Sequence, residues 1–163
     1  MSGNPHSGRA ADAGAQTDIG QEFLTVAIDG QTFGIPVLSV RDVLGPQRLT
    51  RVPLAQSEVV GALNLRGRIV TAIDLRRRLA RPDRAPDASH MSVVVDARGE
   101  PYSLIVDSVG EVLSLSQDAF ERNPSTLDAR IKSVSTGIYR LERSLLVVLD
   151  VMQLLDPVLN KAA

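Results

Sequence analysis

The sequence predicts an all-β protein: one small barrel built twice, with the two barrels packed on a shared core. The first observation is an internal repeat. Phe33 to Leu44 matches Tyr102 to Leu113, and Gly61 to Leu75 matches Gly137 to Val151, in the same order. In the first match Val37, Ser39, Val40, Val43 and Leu44 recur as Val106, Ser108, Val109, Val112 and Leu113. In the second, Gly61, Leu65, Ile69-Val70 and Ile73-Asp74-Leu75 recur as Gly137, Leu141, Leu145-Leu146 and Leu149-Asp150-Val151. Matched apolar spacing in matched order marks a structural unit used twice. The second observation is that the apolar segments are short and broken by Gly and Pro, of which there are 12 and 9. That punctuation suits small barrels or sandwiches. A unit of this size buries too little surface to stand alone, so the two are expected to share a core.

Each element follows in order. Residues 1–20 are small and polar, cannot offset the entropy of ordering, and read as a disordered tail. Phe23 to Ile28 and Gln31 to Ile35 are strands joined by the turn signal Asp29-Gly30, and Pro36 stops the second. Val37 to Leu44 has apolar spacing nearer helical than alternating, which predicts a tight helical turn. Gly45-Pro46 breaks the chain, and Leu49 to Val52 is a short strand. Val59 to Leu65 and Arg68 to Asp74 form a hairpin around Arg66-Gly67. Leu75 to Leu79 is a basic helical turn, and the Pro-containing stretch Arg81 to Ala88 separates the repeats. Ser92 to Asp96, Tyr102 to Val106 and Glu111 to Leu115 are strands, and Ser116 to Ser133 is an irregular connection. Val134 to Leu141 and Leu145 to Leu149 make the second hairpin. Asp150 to Asn160 is a helix in which Pro157 requires a kink or a new first turn. The folded domain is therefore expected over 21–157, with one barrel at about 21–85, the other at about 90–150, and a C-terminal helix and tail over 150–163.

Composition narrows the function. The chain has 163 residues, 44% of them hydrophobic, and a net charge of −1, so it lacks the positive field of a nucleic-acid binder. Aromatics make up 3% with no Trp, too few for base-stacking platforms. With no Cys, disulfides, thiolate chemistry and cysteine-bound zinc are excluded. There is no basic leader ahead of an apolar stretch, and no apolar run approaches the ~20 residues a membrane span needs. A cytoplasmic location without membrane insertion is expected.

No catalytic constellation is visible, and no cofactor or metal is expected. His6 lies in the tail and His90 at the start of a strand. There is no phosphate-binding Gly-rich loop and no Gly-x-Ser-x-Gly elbow. Asp74 and Asp150 are repeated carboxylates, each placed to cap the helical turn that follows it. The densest charge is Arg66, Arg68, Arg76, Arg77, Arg78, Arg81 and Arg84: a solvated face, or a patch for phosphate, RNA or an acidic partner. Arg66 stands apart, in a hairpin turn where the fold does not demand Arg and where it is well placed to meet a carboxylate.

The segments Gln21-Glu22-Phe23-Leu24, Phe33-Gly34-Ile35, Val59-Val60-Gly61, Asn64-Leu65-Arg66-Gly67, Ile73-Asp74-Leu75-Arg76 and Val106-Asp107-Ser108-Val109 resemble the CheW family of chemotaxis coupling proteins. The resemblance implies two five-stranded SH3-like barrels and a non-catalytic adaptor. It would bridge the cytoplasmic tip of a transmembrane chemoreceptor and the regulatory domain of the histidine kinase CheA, at receptor arrays beneath the inner membrane. It also implies that Val37, Val40, Asp42 and Arg66 contact the receptor, and that Gly61, Thr126 and Leu127 serve kinase binding or coupling. Relatives often carry an aromatic where Thr126 and Leu127 stand, Glu in place of Asp42 and Pro in place of Thr71. The alternatives are a same-fold adaptor in a non-flagellar pathway, such as surface motility or a cyclic-nucleotide output, and a small phosphate- or RNA-binding barrel using the Arg76 to Arg84 patch.

Overall fold

The structure, a computed structural model, describes residues 20–160 apart from residue 54. The expected disordered tail, but for Gly20, lies outside the described residues, as do 161–163. The strands are β1 (Gly20–Ile28), β2 (Gln31–Pro36), β3 (Val40–Leu44), β4 (Val59–Leu65), β5 (Arg68–Asp74), β6 (Met91–Ala97), β7 (Glu100–Val106), β8 (Ser108–Ser116), β9 (Phe120–Glu121), β10 (Ser135–Arg140) and β11 (Leu145–Leu149). Four one-turn helices join them: α1 (Leu75–Arg78), α2 (Ala129–Lys132), α3 (Val151–Leu154) and α4 (Asp156–Leu159).

Several elements differ from expectation, among them the connection Ser116 to Ser133, expected to be irregular, which carries β9 and α2. The helical spacing after Pro36 yields only a 3-10 turn, Val37–Ser39, before the chain extends into β3. The strand expected at Leu49 to Val52 is a single bridge, Thr50 to Ala62. The expected C-terminal helix breaks into α3 and α4, and Pro157 sits in the first turn of α4, where a missing N–H costs no helical bond.

The strands form a six-stranded sheet in the order β8-β1-β2-β11-β10-β9 and a five-stranded sheet in the order β3-β6-β7-β5-β4. The sheets do not follow the division at about 21–85 and 90–150. Each repeat lends its first hairpin to the other: β1–β2 joins the sheet of β8 to β11, and β6–β7 joins that of β3 to β5. The exchange starts where Pro36 ends β2 and the 3-10 turn carries the chain into the other sheet. At the matching position of the second repeat, Asp107 separates β7 from β8. The lent hairpins are held by parallel pairs, β2 with β11 and β5 with β7.

Exchange explains the nearly continuous apolar runs. In strands such as β1, β5, β7 and β11 one face lines a barrel and the other lines the shared core. Leu63, Val70, Ala72 and Ile105 fill one barrel; Phe23, Tyr139, Leu146 and Val148 fill the other. Leu63, Val70 and Ala72 stand at the repeat positions of Tyr139, Leu146 and Val148. Between the sheets lies the larger shared core, including Leu24, Val26, Phe33 and Ile35 from one lent hairpin and Val93, Val95, Leu104 and Val106 from the other. The matched glycines have a matched cause. Gly61 and Gly137 stand at bulges with φ of 154° and 158°. A Cβ at Gly61 would come 2.7 Å from the Thr50 carbonyl oxygen, and one at Gly137 2.5 Å from that of Glu121.

Candidate functional site

The β4–β5 hairpin pairs Leu65 with Arg68, leaving Arg66 and Gly67 as a two-residue turn with φ of 52° and 85°. Positive φ at both positions matches the twist of the flanking strands. Asn64 Oδ1 accepts a 2.9 Å hydrogen bond from the Gly67 N–H. This geometry throws the Arg66 side chain outward, where it is 82% exposed.

Asp42 reaches the same place through a bulge. On β3, Val40 faces Val95 and Asp42 faces Val94, so the register slips by one at Arg41. Val95 belongs to the shared core, whereas Val94 faces the first barrel's surface groove. Without the slip, Asp42 would follow Val40 toward apolar packing; with it, Arg41 and Asp42 both turn to the groove. Asp42 Oδ1 accepts from the Val43 N–H at 2.9 Å, and Oδ2 lies 3.4 Å from Arg66 Nη2. The groove is lined by Arg41, Asp42, Leu65, Arg66, Arg68 and Val70, with Val94 and Pro101. Two further ion pairs stand at it, Arg41 with Asp96 at 3.0 Å and Arg68 with Glu100 at 3.4 Å.

The structure thus brings Asp42 and Arg66 together within the five-stranded sheet. Val37 and Val40 stand at the crossover into that sheet, half-buried, with Val40 packed on the shared core. Between them Leu38 is 95% exposed, the most exposed of the large apolar side chains described. Gly61 is buried in β4 beneath the Thr50 crossing. Thr126 and Leu127 lie elsewhere, between β9 and α2; Thr126 is exposed and Leu127 packs on the shared core. Of the groove's lining, sequence reasoning placed Arg68 only in the basic patch and gave Arg41, Leu65, Val70, Val94 and Pro101 no site role. Arg41, Leu65 and Arg68, each within two residues of a chosen site residue, carried the only legible signal.

Most of the Arg76 to Arg84 patch is engaged by partners within the protein. Arg76 grips Asp107 with two bonds, 2.9 Å from Nε and 2.8 Å from Nη2. Arg84 reaches Asp107 at 2.8 Å and Asp74 at 3.2 Å. The Asp29 N–H also donates to Asp107, at 2.8 Å. Arg77 pairs with Asp83, and Arg78 donates to the Leu154 and Gln153 carbonyls. Asp107 is partly desolvated, which opposes ionisation. Its bonds from Arg76, the Asp29 N–H and Arg84 outweigh that and hold its pKa at about 2, against an ordinary 3.8. A patch so largely engaged by internal partners does not favour the phosphate or RNA reading. Asp74 and Asp150 cap α1 and α3 as expected, accepting from the Arg76 N–H and from the Met152 and Gln153 N–H groups.

Two SH3-like barrels that exchange hairpins around one core, with a charged groove on one of them, define the class of protein. The chain belongs to the CheW-like domain family, which matches residues 22–158. It is 30% identical over 138 residues to chemotaxis protein CheW of Klebsiella aerogenes, covering 85% of this chain and 83% of that one. It is 26% identical over 149 residues to chemotaxis protein CheW of Bacillus subtilis, covering 91% and 96%. In fold it is similar to the crystal structure of the scaffolding protein TtCheW from Thermoanaerobacter tengcongensis, with a TM-score of 0.72, 23% identity, and 80% and 89% of the two chains covered.

Proposed function

We propose that this chain is a non-catalytic chemotaxis adaptor, cytoplasmic and held at receptor arrays beneath the inner membrane. It binds the cytoplasmic tip of a chemoreceptor and the regulatory domain of the histidine kinase CheA. The observation that carries this reading is the meeting of Asp42 and Arg66, far apart in sequence, at 3.4 Å on an exposed groove. An exposed ion pair of that length is worth under about 1 kcal/mol. Arg66 therefore exchanges Asp42 for a receptor carboxylate at little cost, while Asp42 stays free to accept from a receptor donor. The apolar side chains at the neighbouring crossover, Val37, Leu38 and Val40, supply buried aliphatic area. Gly61, Thr126 and Leu127 are the positions proposed to serve kinase binding or coupling. Kinase control then follows from geometry in the assembly, with no chemistry on this chain.

Pull-down of the full chain with a receptor cytoplasmic fragment, and separately with a kinase regulatory domain, tests the reading. Capture of both is expected; capture of neither overturns it.

A further inference from the structure

We infer that Asn64 is a positioning residue for Arg66. It holds the left-handed turn that presents the guanidinium beside Asp42. The inference rests on the receptor role proposed for Arg66 but has a readout of its own.

Arg is a poor residue for the position it occupies. A φ of 52° crowds the Cβ of an L-residue, and Asn, Asp or Gly ordinarily fill this place in a two-residue hairpin turn. Two other hairpins have the same form, Asp29-Gly30 and Arg98-Gly99, with φ of 51° and 81°, and 52° and 78°. The first is tied to a distant part of the chain through its backbone, the second only by exposed contacts of its side chain. The Asp29 N–H donates to the Asp107 carboxylate, and the Arg98 guanidinium reaches the Leu159 carbonyl and Asn160 Oδ1 at 3.4 Å. The Arg66 turn has no distant backbone tether among the described residues. Its side chain meets only Asp42, at 3.4 Å and largely in water, which is too weak a contact to hold a backbone.

Asn64 supplies the missing restraint locally. It is exposed, so it contributes nothing to either core, and its side chain's one hydrogen bond among the described residues is accepted from the Gly67 N–H. A side-chain carbonyl that accepts from the N–H three residues on closes the turn around Arg66. The second repeat marks the difference. Its loop between β10 and β11 is longer and closed by the Leu141 N–H to the Ser144 carbonyl. Arg140, at the place of Asn64, is spent on Glu121 at 3.0 Å. Among the described residues this side-chain closure stands in the Arg66 hairpin and not at the matching place of the second repeat.

Asn64→Ala and Asn64→Asp in the full chain test this. Asn64→Asp keeps the acceptor. In Asn64→Ala the Gly67 amide is expected to exchange with solvent about fivefold faster or more, the factor an ordinary net hydrogen bond supplies. The Arg66 carbon shifts should leave their left-handed values, with thermal melting unchanged. Asn64→Asp should keep both signals. Receptor-fragment affinity should fall about threefold or more in Asn64→Ala, and Asn64→Ala/Arg66→Ala should bind no worse than Arg66→Ala alone. Unchanged exchange and shifts in Asn64→Ala would overturn the inference, as would additive losses in the double variant. If exchange and shifts follow Asn64 while Arg66→Ala binds as the unaltered protein does, the turn restraint stands and the receptor role of Arg66 fails.

Discussion

Replacing Asp107 with Asn removes one charge from the crossing between the two sheets and keeps the side-chain shape. Asp107 lies between β7 and β8, where the chain leaves one sheet for the other. Its carboxylate gathers Arg76, Arg84 and the Asp29 N–H, so it ties α1, the linker between the repeats and the β1–β2 turn together. The side chains of Arg76 and Arg84 are only 16% and 11% exposed. Asn would leave both short of a countercharge and turn an amide N–H toward one of them. The native pKa of about 2 against an ordinary 3.8 corresponds to about 2 kcal/mol of stability at neutral pH. For a chain of this size that is a fall in Tm of roughly 4–8 °C. The pH dependence has a fixed sign. Because the folded pKa is depressed, the contribution is complete above about pH 4 and is lost as pH falls toward about 2. Thermal and urea melts followed by far-ultraviolet circular dichroism should show Asp107→Asn well below the unaltered protein at neutral pH, the gap closing over that acid window. Melting within about 1 °C at neutral pH, or a gap that does not change with acid, refutes the role assigned to the cluster.

Gly61→Ala should lose about 1–3 kcal/mol, because its Cβ would come within 2.7 Å of the Thr50 carbonyl oxygen; urea denaturation measures this. Ser92 and Ser103, both fully buried, share one hydroxyl bond of 3.0 Å. Ser103→Ala should cost about 1–3 kcal/mol by leaving Ser92 unpaired, while Ser92→Ala/Ser103→Ala should cost less than the sum of the single changes, as a chemical-denaturation cycle would show.

The doubled β architecture is legible in the repeat itself. Leu63, Val70 and Ala72 and their counterparts Tyr139, Leu146 and Val148 line equivalent barrels. Periodicity does not show the hairpin exchange. A strand buried on both faces reads the same whichever sheet it joins, and the switch depends on a three-residue turn after Pro36. At the site, Arg66 is legible because a turn residue with no packing duty stands out. Its meeting with Asp42 is not, since that rests on the slip at Arg41, and alternation alone would aim Asp42 at the core. The arginine patch misleads for a related reason. Composition counts charges but not partners, and Asp29, Asp74 and Asp107 come from three separate parts of the chain.

The most direct measurement is the affinity of a receptor cytoplasmic fragment for the unaltered protein and for Arg66→Ala, taken beside their melting curves. Removing a charge-assisted contact should weaken binding about tenfold or more. The 82% exposed side chain should leave Tm nearly unchanged. Equal affinity in the two proteins, or a variant that unfolds, contradicts the placement of the receptor contact at Arg66.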